Sequence, residues 1–452
     1  MEEALHEQTF STELEGQVAG GGRGQFGAGP TLLFTMPRFS TRITVIVLCM
    51  IATGTQLMMR SLPFVAVIGK AGMAAEYGWD EEDVGNLYAA FGWGYAISQI
   101  PGSMLAQHYG HKNVWLTCLT GAACMNLLVP LATSLAGLNG AMAMRFVFGL
   151  CQGPLFPIQA GLLAAWLHEN ERSTLNAVVG LCWALFQGIQ GFLTPYFMTG
   201  VGWEWAFVFY SLLVFVWSRY WMVYGVGIVP GEVARCSKAE AAYLTGDDID
   251  QPAQAAGDEQ DGPPPFDLTI WWNVVKQPVV WGMALFTVLD GMGKPVFLTY
   301  IPQYLVTQLN FDITSAGAIA GLPFLANSAG SILAGVLADR LHYRGMSNVL
   351  IRRIFTMVPQ LIYMISALLL ANGIGPYFTI FLLIFAQFAE GFTGSGVWIK
   401  TIDISKRYSS IAHGFMNGCG NVSVAVDSLH VVDLVGRSNA QCSRFCTDHA
   451  LM

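Results

Sequence analysis

Ile43-Thr-Val-Ile-Val-Leu-Cys-Met-Ile-Ala-Thr-Gly-Thr-Gln-Leu-Met-Met-Arg-Ser-Leu-Pro-Phe-Val-Ala-Val-Ile68 contains one charged side chain, Arg60. At ~1.5 Å per residue this run is long enough, as a helix, to cross a hydrocarbon layer ~30 Å thick. A backbone can cross such a layer only with its polar groups paired internally, and one isolated segment achieves that as an α-helix. The stretch therefore predicts a membrane-spanning helix. Its guanidinium costs about 2.5–3.5 kcal/mol on insertion scales, so it needs either a route to water or a task.

Comparable apolar runs follow at 84–106, 114–134, 138–166, 174–198 and 205–228, then at 279–306, 315–338, 354–371 and 376–399. A weaker run covers 411–436, interrupted by Asp427, His430 and Asp433. The predicted fold class is all-α: a polytopic transmembrane helical bundle in two halves, six spans and six, with an incomplete C-terminal half. Composition agrees. Of 452 residues, 54% are hydrophobic and 12% charged, against about 25% charged in a soluble domain. The 13 Trp and 50 Gly suit membrane helices, with Trp expected at the interface and Gly at helix contacts. Gly180, Gly188 and Gly191, and Gly317 with Gly321, are expected as such contacts.

The chain divides at its polar stretches. Residues 1–42 read as a disordered cytoplasmic tail and 43–228 as the first six-helix half. Residues 229–278 read as a cytoplasmic linker. Its stretch 231–266 carries Asp247, Asp248, Asp250, Asp258, Glu259, Asp261 and Pro263-Pro264-Pro265, too polar to bury a core. Residues 279–436 form the second half and 437–452 a polar tail. Loop basicity sets the orientation. Arg340, Arg344, Arg352 and Arg353 mark a cytoplasmic loop at 339–353; Glu76, Asp80, Glu81, Glu82 and Asp83 mark the opposite face at 69–83. The membrane itself, plasma or organellar, is not specified.

Several classes fall away. A net charge of −8 offers nothing to a nucleic acid. Cys49, Cys118, Cys124, Cys151 and Cys182 lie in apolar runs and read as small hydrophobes, not a disulfide framework. There is no metal-ligand spacing, phosphate loop or nucleophile constellation, so neither an enzyme nor a bound cofactor is expected. The partners expected are the lipid bilayer and a small solute.

An internal repeat is visible. Gly102-Ser-Met-Leu-Ala-Gln-His-Tyr-Gly-His-Lys112 ends span two, and Gly335-Val-Leu-Ala-Asp-Arg-Leu-His-Tyr-Arg344 ends span eight. Each closes the second helix of its half, and two related halves place a solute site between them. These loops resemble the G-x-L-A-D-R-x-G-x-K signature of the major facilitator superfamily. Within it the chain is similar to the anion/cation symporter family of phosphate, sialic acid, vesicular glutamate and vesicular nucleotide carriers. Phe91-Gly-Trp-Gly-Tyr95 with Ser98-Gln-Ile-Pro-Gly102, Arg145-Phe-Val-Phe-Gly149 with Gly153 and Pro157, Glu171-Arg172-Ser173, Gly202-Trp203 with Phe207 and Phe209-Tyr210, and Asp403-Ile-Ser-Lys-Arg-Tyr408 with Gly414 and Asn417 match its motifs in order. Gln107 stands where that signature usually has Asp. After Asn421 the twelfth span of the family is missing.

The resemblance implies a secondary or potential-driven transporter of organic or inorganic anions. Phosphate, a carboxylate or a nucleotide is the expected substrate, and a proton or sodium ion the candidate coupling ion. A non-transporting protein, receptor-like or truncated, is the alternative that the altered C-terminal end motivates. Arg60 and Arg145 lie at similar depth, ~12 Å and ~10 Å from the outer ends of their spans, and the planar guanidinium suits carboxylate and phosphate. The resemblance aligns both with arginines that bind anions; the alternatives are a snorkelling Arg60 and an Arg145 paired with a buried acid. Asp290 and Lys294 share a helix face, as a neutralising pair or as a charge that an anion frees. Gln152 stands where most family members carry a proton-binding Glu, and an amide cannot titrate. Tyr88 aligns with a His of the glutamate carriers and joins the expected substrate site. The nucleotide branch shares the Gln and resembles Arg60-Ser61-x-Pro63. Glu390, inside span ten, reads either as an ion-pair partner or as a coupling site. Asp403, near Lys400, Lys406 and Arg407, reads as an inner-gate salt bridge.

Overall fold

The computed structural model describes residues 41–67, 72–168, 171–245, 268–291, 313–370, 376–404 and 409–423. Among them there are helices and no strands. The N-terminal half comprises α1 (Thr41–Ala66), the short α2 (Met73–Tyr77), α3 (Glu81–Tyr109), α4 (His111–Gln152), α5 (Leu155–Trp166), α6 (Arg172–Gly200) and α7 (Glu204–Tyr224). After a 3-10 turn at Pro230–Glu232 come α8 (Lys238–Thr245) and α9 (Leu268–Val275). The C-terminal half contributes α10 (Pro278–Gly291), α11 (Ile313–Tyr343), α12 (Asn348–Leu370), α13 (Pro376–Glu390), a 3-10 segment at Gly391–Ser395 and α14 (Val397–Ile404). A last helix, α15, covers 409–423. Seven helices among the described residues are long and apolar enough to cross a membrane.

Local chemistry sets the helix ends. Asp80 and Asp83 make a capping box that starts α3: Asp83 N donates to Asp80 Oδ1 at 2.8 Å, and Asp80 N to Asp83 Oδ2 at 3.3 Å. The acidic outer loop is thus also a helix start signal. Span three and the first part of span four lie in α4, which breaks at Gly137 (φ 56°, ψ −138°). That left-handed φ is one glycine adopts readily. Span four then continues through Gly153 and Pro154 into α5.

Glycine lets the two halves be built alike. A Cβ on Gly94 would collide with the carbonyl of Phe146, and one on Gly149 with the backbone of Phe91 and Tyr95, so α3 and α4 touch backbone to backbone. In the second half, Gly330 against Phe388 and Gly391 against Asn327 do the same for α11 and the α13 end. The contact glycines expected in α6 do not serve this purpose. A Cβ on Gly180, Gly188 or Gly191 would meet nothing within 4 Å. Regular spacing of small residues does not reveal which face a neighbour approaches. Of Gly317 and Gly321, the side-chain surroundings lie outside the described residues.

The core of the first half is aromatic. Trp115, Trp166, Trp217 and Trp221 are buried rather than placed at an interface. Three of their indole N–H groups donate to backbone carbonyls: Trp217 to Leu48 at 3.0 Å, Trp221 to Lys112 at 3.0 Å and Trp166 to Gly227 at 2.9 Å. A buried indole needs such a partner.

Part of the expected linker is folded onto the bundle. Glu240 on α8 accepts from the backbone N–H of Arg42 at 2.8 Å, and Arg42 pairs with Glu171 at 3.0 Å. The Arg42 guanidinium also lies 5.5 Å from the Tyr243 ring. Burial raises the Tyr243 phenol above its ordinary range, and the Glu171 carboxylate adds to this. The acidic residues that argued against folding cluster from 247 onward, whereas 230–245 supplies Val233, Tyr243 and Leu244 to the core. Residues 1–40, 246–267 and 424–452 lie outside the described residues, and with them the two tails and most of the acid run.

The halves meet at the basic-loop side through two related contacts. Asp339 of the second signature loop accepts from Ser173 N (3.2 Å) and Thr174 N (2.7 Å) at the start of α6. A carboxylate there is favoured by both the free N–H groups and the helix dipole. Arg352 adds a bond to Ser173 Oγ at 3.1 Å. At the equivalent place Gln107 donates to Ser410 Oγ at 2.9 Å, near the start of α15. One contact uses a charge and the other a neutral amide.

Candidate functional site

The first half brings its two intramembrane arginines together. Arg145 on α4 is 1% exposed. Its Nη2 donates to the backbone carbonyl of Arg60 at 3.3 Å, while Nε and Nη1 have no partner among the described residues. Its guanidinium lies 4.9 Å from the centre of the Phe91 ring and 4.8 Å from that of Phe148. Arg60 on α1 is half-buried and lies 5.0 Å from the same Phe91 ring and 4.7 Å from Tyr95. Arg145 meets a backbone carbonyl and two rings, and Arg60, partly exposed, meets two rings and an amide. The described contacts of Arg145 include no carboxylate, and the Arg60 guanidinium lies against the Phe91 and Tyr95 rings.

Magnitudes decide what this arrangement favours. A buried cation loses several kcal/mol of hydration after relaxation. Each ring face returns about 2 kcal/mol when desolvated, and a bond to a carbonyl about 1.5–3 kcal/mol. These offset much of the cost but leave donors unpaired and two like charges close together. An anion placed here answers both deficits.

The second half reaches the same place. Asn421 Oδ1 accepts from Arg60 Nη2 at 3.3 Å, and Asn421 Nδ2 donates to Asn417 O and Oδ1 at 2.8 and 3.0 Å. Asn417 Nδ2 in turn donates to the Tyr95 hydroxyl at 3.0 Å. The Tyr88 ring lies 4.5 Å from that of Phe64, and Tyr88 is close enough to Arg145 to interact with its charge. Gln152 donates to the backbone carbonyl of Gln56 at 2.9 Å and braces α1 against α4.

The remaining expected residues lie elsewhere. Asp290 and Glu390 converge on one amide: Gln360 Nε2 donates to Asp290 Oδ1 at 3.1 Å and to Glu390 Oε2 at 3.2 Å. Thr393 Oγ1 donates to Glu390 Oε1 at 2.8 Å. Lys294, the expected partner of Asp290, lies outside the described residues. Asp403 is in the last turn of α14, and the contacts expected of its side chain fall outside the described residues too. Sequence reasoning gave no role to Phe91, Tyr95, Asn417, Asn421 or Gln360. The i,i+4 spacing of 91 with 95 and of 417 with 421 was the available signal.

The fold and the cationic cluster define a multi-pass membrane protein of two helical halves that share an interior. The chain belongs to the Major Facilitator Superfamily, which it matches over residues 34–426. It is 27% identical over 386 residues to a probable chloroplastic anion transporter of Oryza sativa subsp. japonica, covering 85% of this chain and 62% of the relative. It is 25% identical over 419 residues to a chloroplastic sodium-dependent phosphate transport protein of Arabidopsis thaliana, covering 92% and 78%. It is 28% identical over 369 residues to a probable galactarate/D-glucarate transporter of Escherichia coli (strain K12), covering 78% and 79%. The chain spans 62–64% of the length of two of the rice relatives it matches. Among solved structures, the proton:xylose symporter XylE superposes with a TM-score of 0.66 at 12% identity, covering 88% of this chain and 90% of that one. A human organic anion transporter gives 0.58 at 16% identity, covering 88% and 94%. At these identities the likeness is one of fold.

Proposed function

We propose that the chain is a transporter of small anions that works by alternating access, with Arg60 and Arg145 holding the anion. The observation that carries this reading is Arg145: a guanidinium 1% exposed, with Nε and Nη1 unpaired and no carboxylate among its described contacts. The names of the relatives support the charge class, since phosphate, galactarate and glucarate are all anions. Asn421 supplies the second half's contact with Arg60 and Asn417 its contact with Tyr95, so moving the halves apart changes the site. Tyr88 completes its aromatic wall. The two contacts at the basic-loop side, Asp339 with α6 and Gln107 with Ser410, close that face.

Coupling to a proton or sodium ion is assigned to the Asp290 and Glu390 pair, whose carboxylates share Gln360, rather than to Gln152, which cannot titrate. Lys294 is assigned to substrate binding and Asp403 to gating. A membrane potential can also drive the anion, at about 2.3 kcal/mol per charge per 100 mV.

The test is uptake of phosphate, dicarboxylates and nucleotides into proteoliposomes at imposed potential, with and without a pH gradient. Arg145→Ala and Arg60→Ala should each abolish uptake of whichever anion the wild type carries. Unchanged uptake in both variants would make the assignment of this site wrong.

A further inference from the structure

Gln56 and Gln99 are sealed in the interior, 1% and 0% exposed. The Nε2 and Oε1 atoms of both are buried without a partner among the described residues. A carboxamide offers two donors and two acceptor sites, and most buried side-chain polar atoms in folded proteins are paired. Two buried amides with no partner among the described residues are therefore a departure that needs a cause.

Their placement supplies one. Gln56 precedes Arg60 by four residues on α1, and Gln99 follows Tyr95 by four on α3, so each shares a helix face with its neighbour. As consecutive spans, α1 and α3 cross the bundle in opposite directions. Both amides consequently lie ~6 Å to the same side of the Arg60 and Tyr95 contact, toward the basic loops. Gln152 donates to the backbone carbonyl of Gln56 at 2.9 Å, which ties α4 to this level. The 409–423 helix closes it, for a Cβ on Gly418 would come within 3.4 Å of Gln99 Cβ.

We propose that Gln56 and Gln99 form a neutral tier beneath the arginines that hydrogen-bonds the hydroxyl groups of a hydroxylated carboxylate whose charged end sits at Arg60 and Arg145. The inference rests on the anion-transport reading above. A hydroxyl both donates and accepts, as an amide does, so the two match without a counter-charge. Water has the same O–H chemistry, and the two sources are separated by the substrates chosen.

The experiment compares adipate, galactarate and phosphate in proteoliposomes of wild type, Gln56→Leu and Gln99→Leu. Adipate and galactarate share a six-carbon dicarboxylate skeleton and differ in the hydroxyls. The wild type is expected to favour galactarate in kcat/KM, and each variant to lower the galactarate-to-adipate ratio about tenfold, the size of one hydrogen bond. A ratio that stays fixed, whether both rates fall together or neither does, would mean that the tier serves water or nothing, and overturns the proposal. Melting of the substrate-free proteins supplies the second measurement. Leucine in place of an unpaired amide should leave the melting temperature equal or higher, and a fall of more than about 5 °C would mean that the amides have partners, which also overturns it. Uptake of phosphate with neither diacid overturns this tier and leaves anion transport standing; uptake of none of the three overturns both.

Discussion

Arg145 donates to the backbone carbonyl of Arg60, 3.3 Å away, and not to an acid. The two cations are thus held together by a neutral acceptor and a shared Phe91 ring, and their charges remain uncancelled by any described carboxylate. Phe91→Leu keeps the bulk and removes the ring. It should cost about 1–2 kcal/mol of stability in the empty protein and raise the KM for the transported anion. Melting curves in detergent and initial uptake rates check this; a variant identical in both would show that the ring does not hold the pair.

Close helix approach separates glycines that the sequence alone does not. Gly94→Ala forces a methyl group into the Phe146 carbonyl and should destabilise the protein by about 1–3 kcal/mol. Gly180→Ala has open space around it and should stabilise it by about 0.5–1 kcal/mol, because glycine loses more freedom on folding. Opposite signs in denaturant or thermal unfolding are the expected result.

Asp339 caps α6 from across the two halves. Asp339→Asn keeps its shape and discards its charge, so this face should hold closed less firmly by about 0.5–2 kcal/mol. With a reporter thiol at Ser395→Cys, which is otherwise buried, labelling by an impermeant maleimide from the basic-loop side should speed up severalfold. Equal labelling rates would place the closure elsewhere.

Arg42 is joined to Glu171 by an ion pair whose side chains are 4% and 12% exposed. Removing one member of such a pair leaves a buried charge behind, at a cost of about 3–5 kcal/mol. Arg42→Ala should therefore lower stability strongly, while Arg42→Ala with Glu171→Gln should recover part of the loss. The double-mutant cycle, read by unfolding, measures the coupling.

What could be read from the sequence followed from what is one-dimensional. An apolar run long enough to span a bilayer announces a helix, and Arg60 inside it announces a task. The arrangement around Arg60 is different in kind. Phe91 faces both arginines because Gly94 and Gly149 let two distant segments touch, and no local pattern encodes that meeting. Gln56 and Gln99 carry little signal in the sequence, because a neutral amide in a span costs far less than a charge. Residues 230–245 carry a short helix and core residues whose signal is masked by the acids that follow, which dominate the composition of the whole segment. Asn417 was visible as part of a motif, but its bond to Tyr95 depends on the two halves meeting.

The clasp of α8 on Arg42 bears on how the polypeptide can be divided. Since Glu240 and Tyr243 belong structurally to α1 and the turn before α6, the natural seam between the halves lies after Thr245, not at 229. A gene split placed between codons 246 and 267 should yield two fragments that reassemble when co-expressed, the first carrying its own clasp. A split before Pro230 would strip Arg42 of Glu240 and Tyr243, leaving it Glu171 alone, and should leave a first fragment that is degraded.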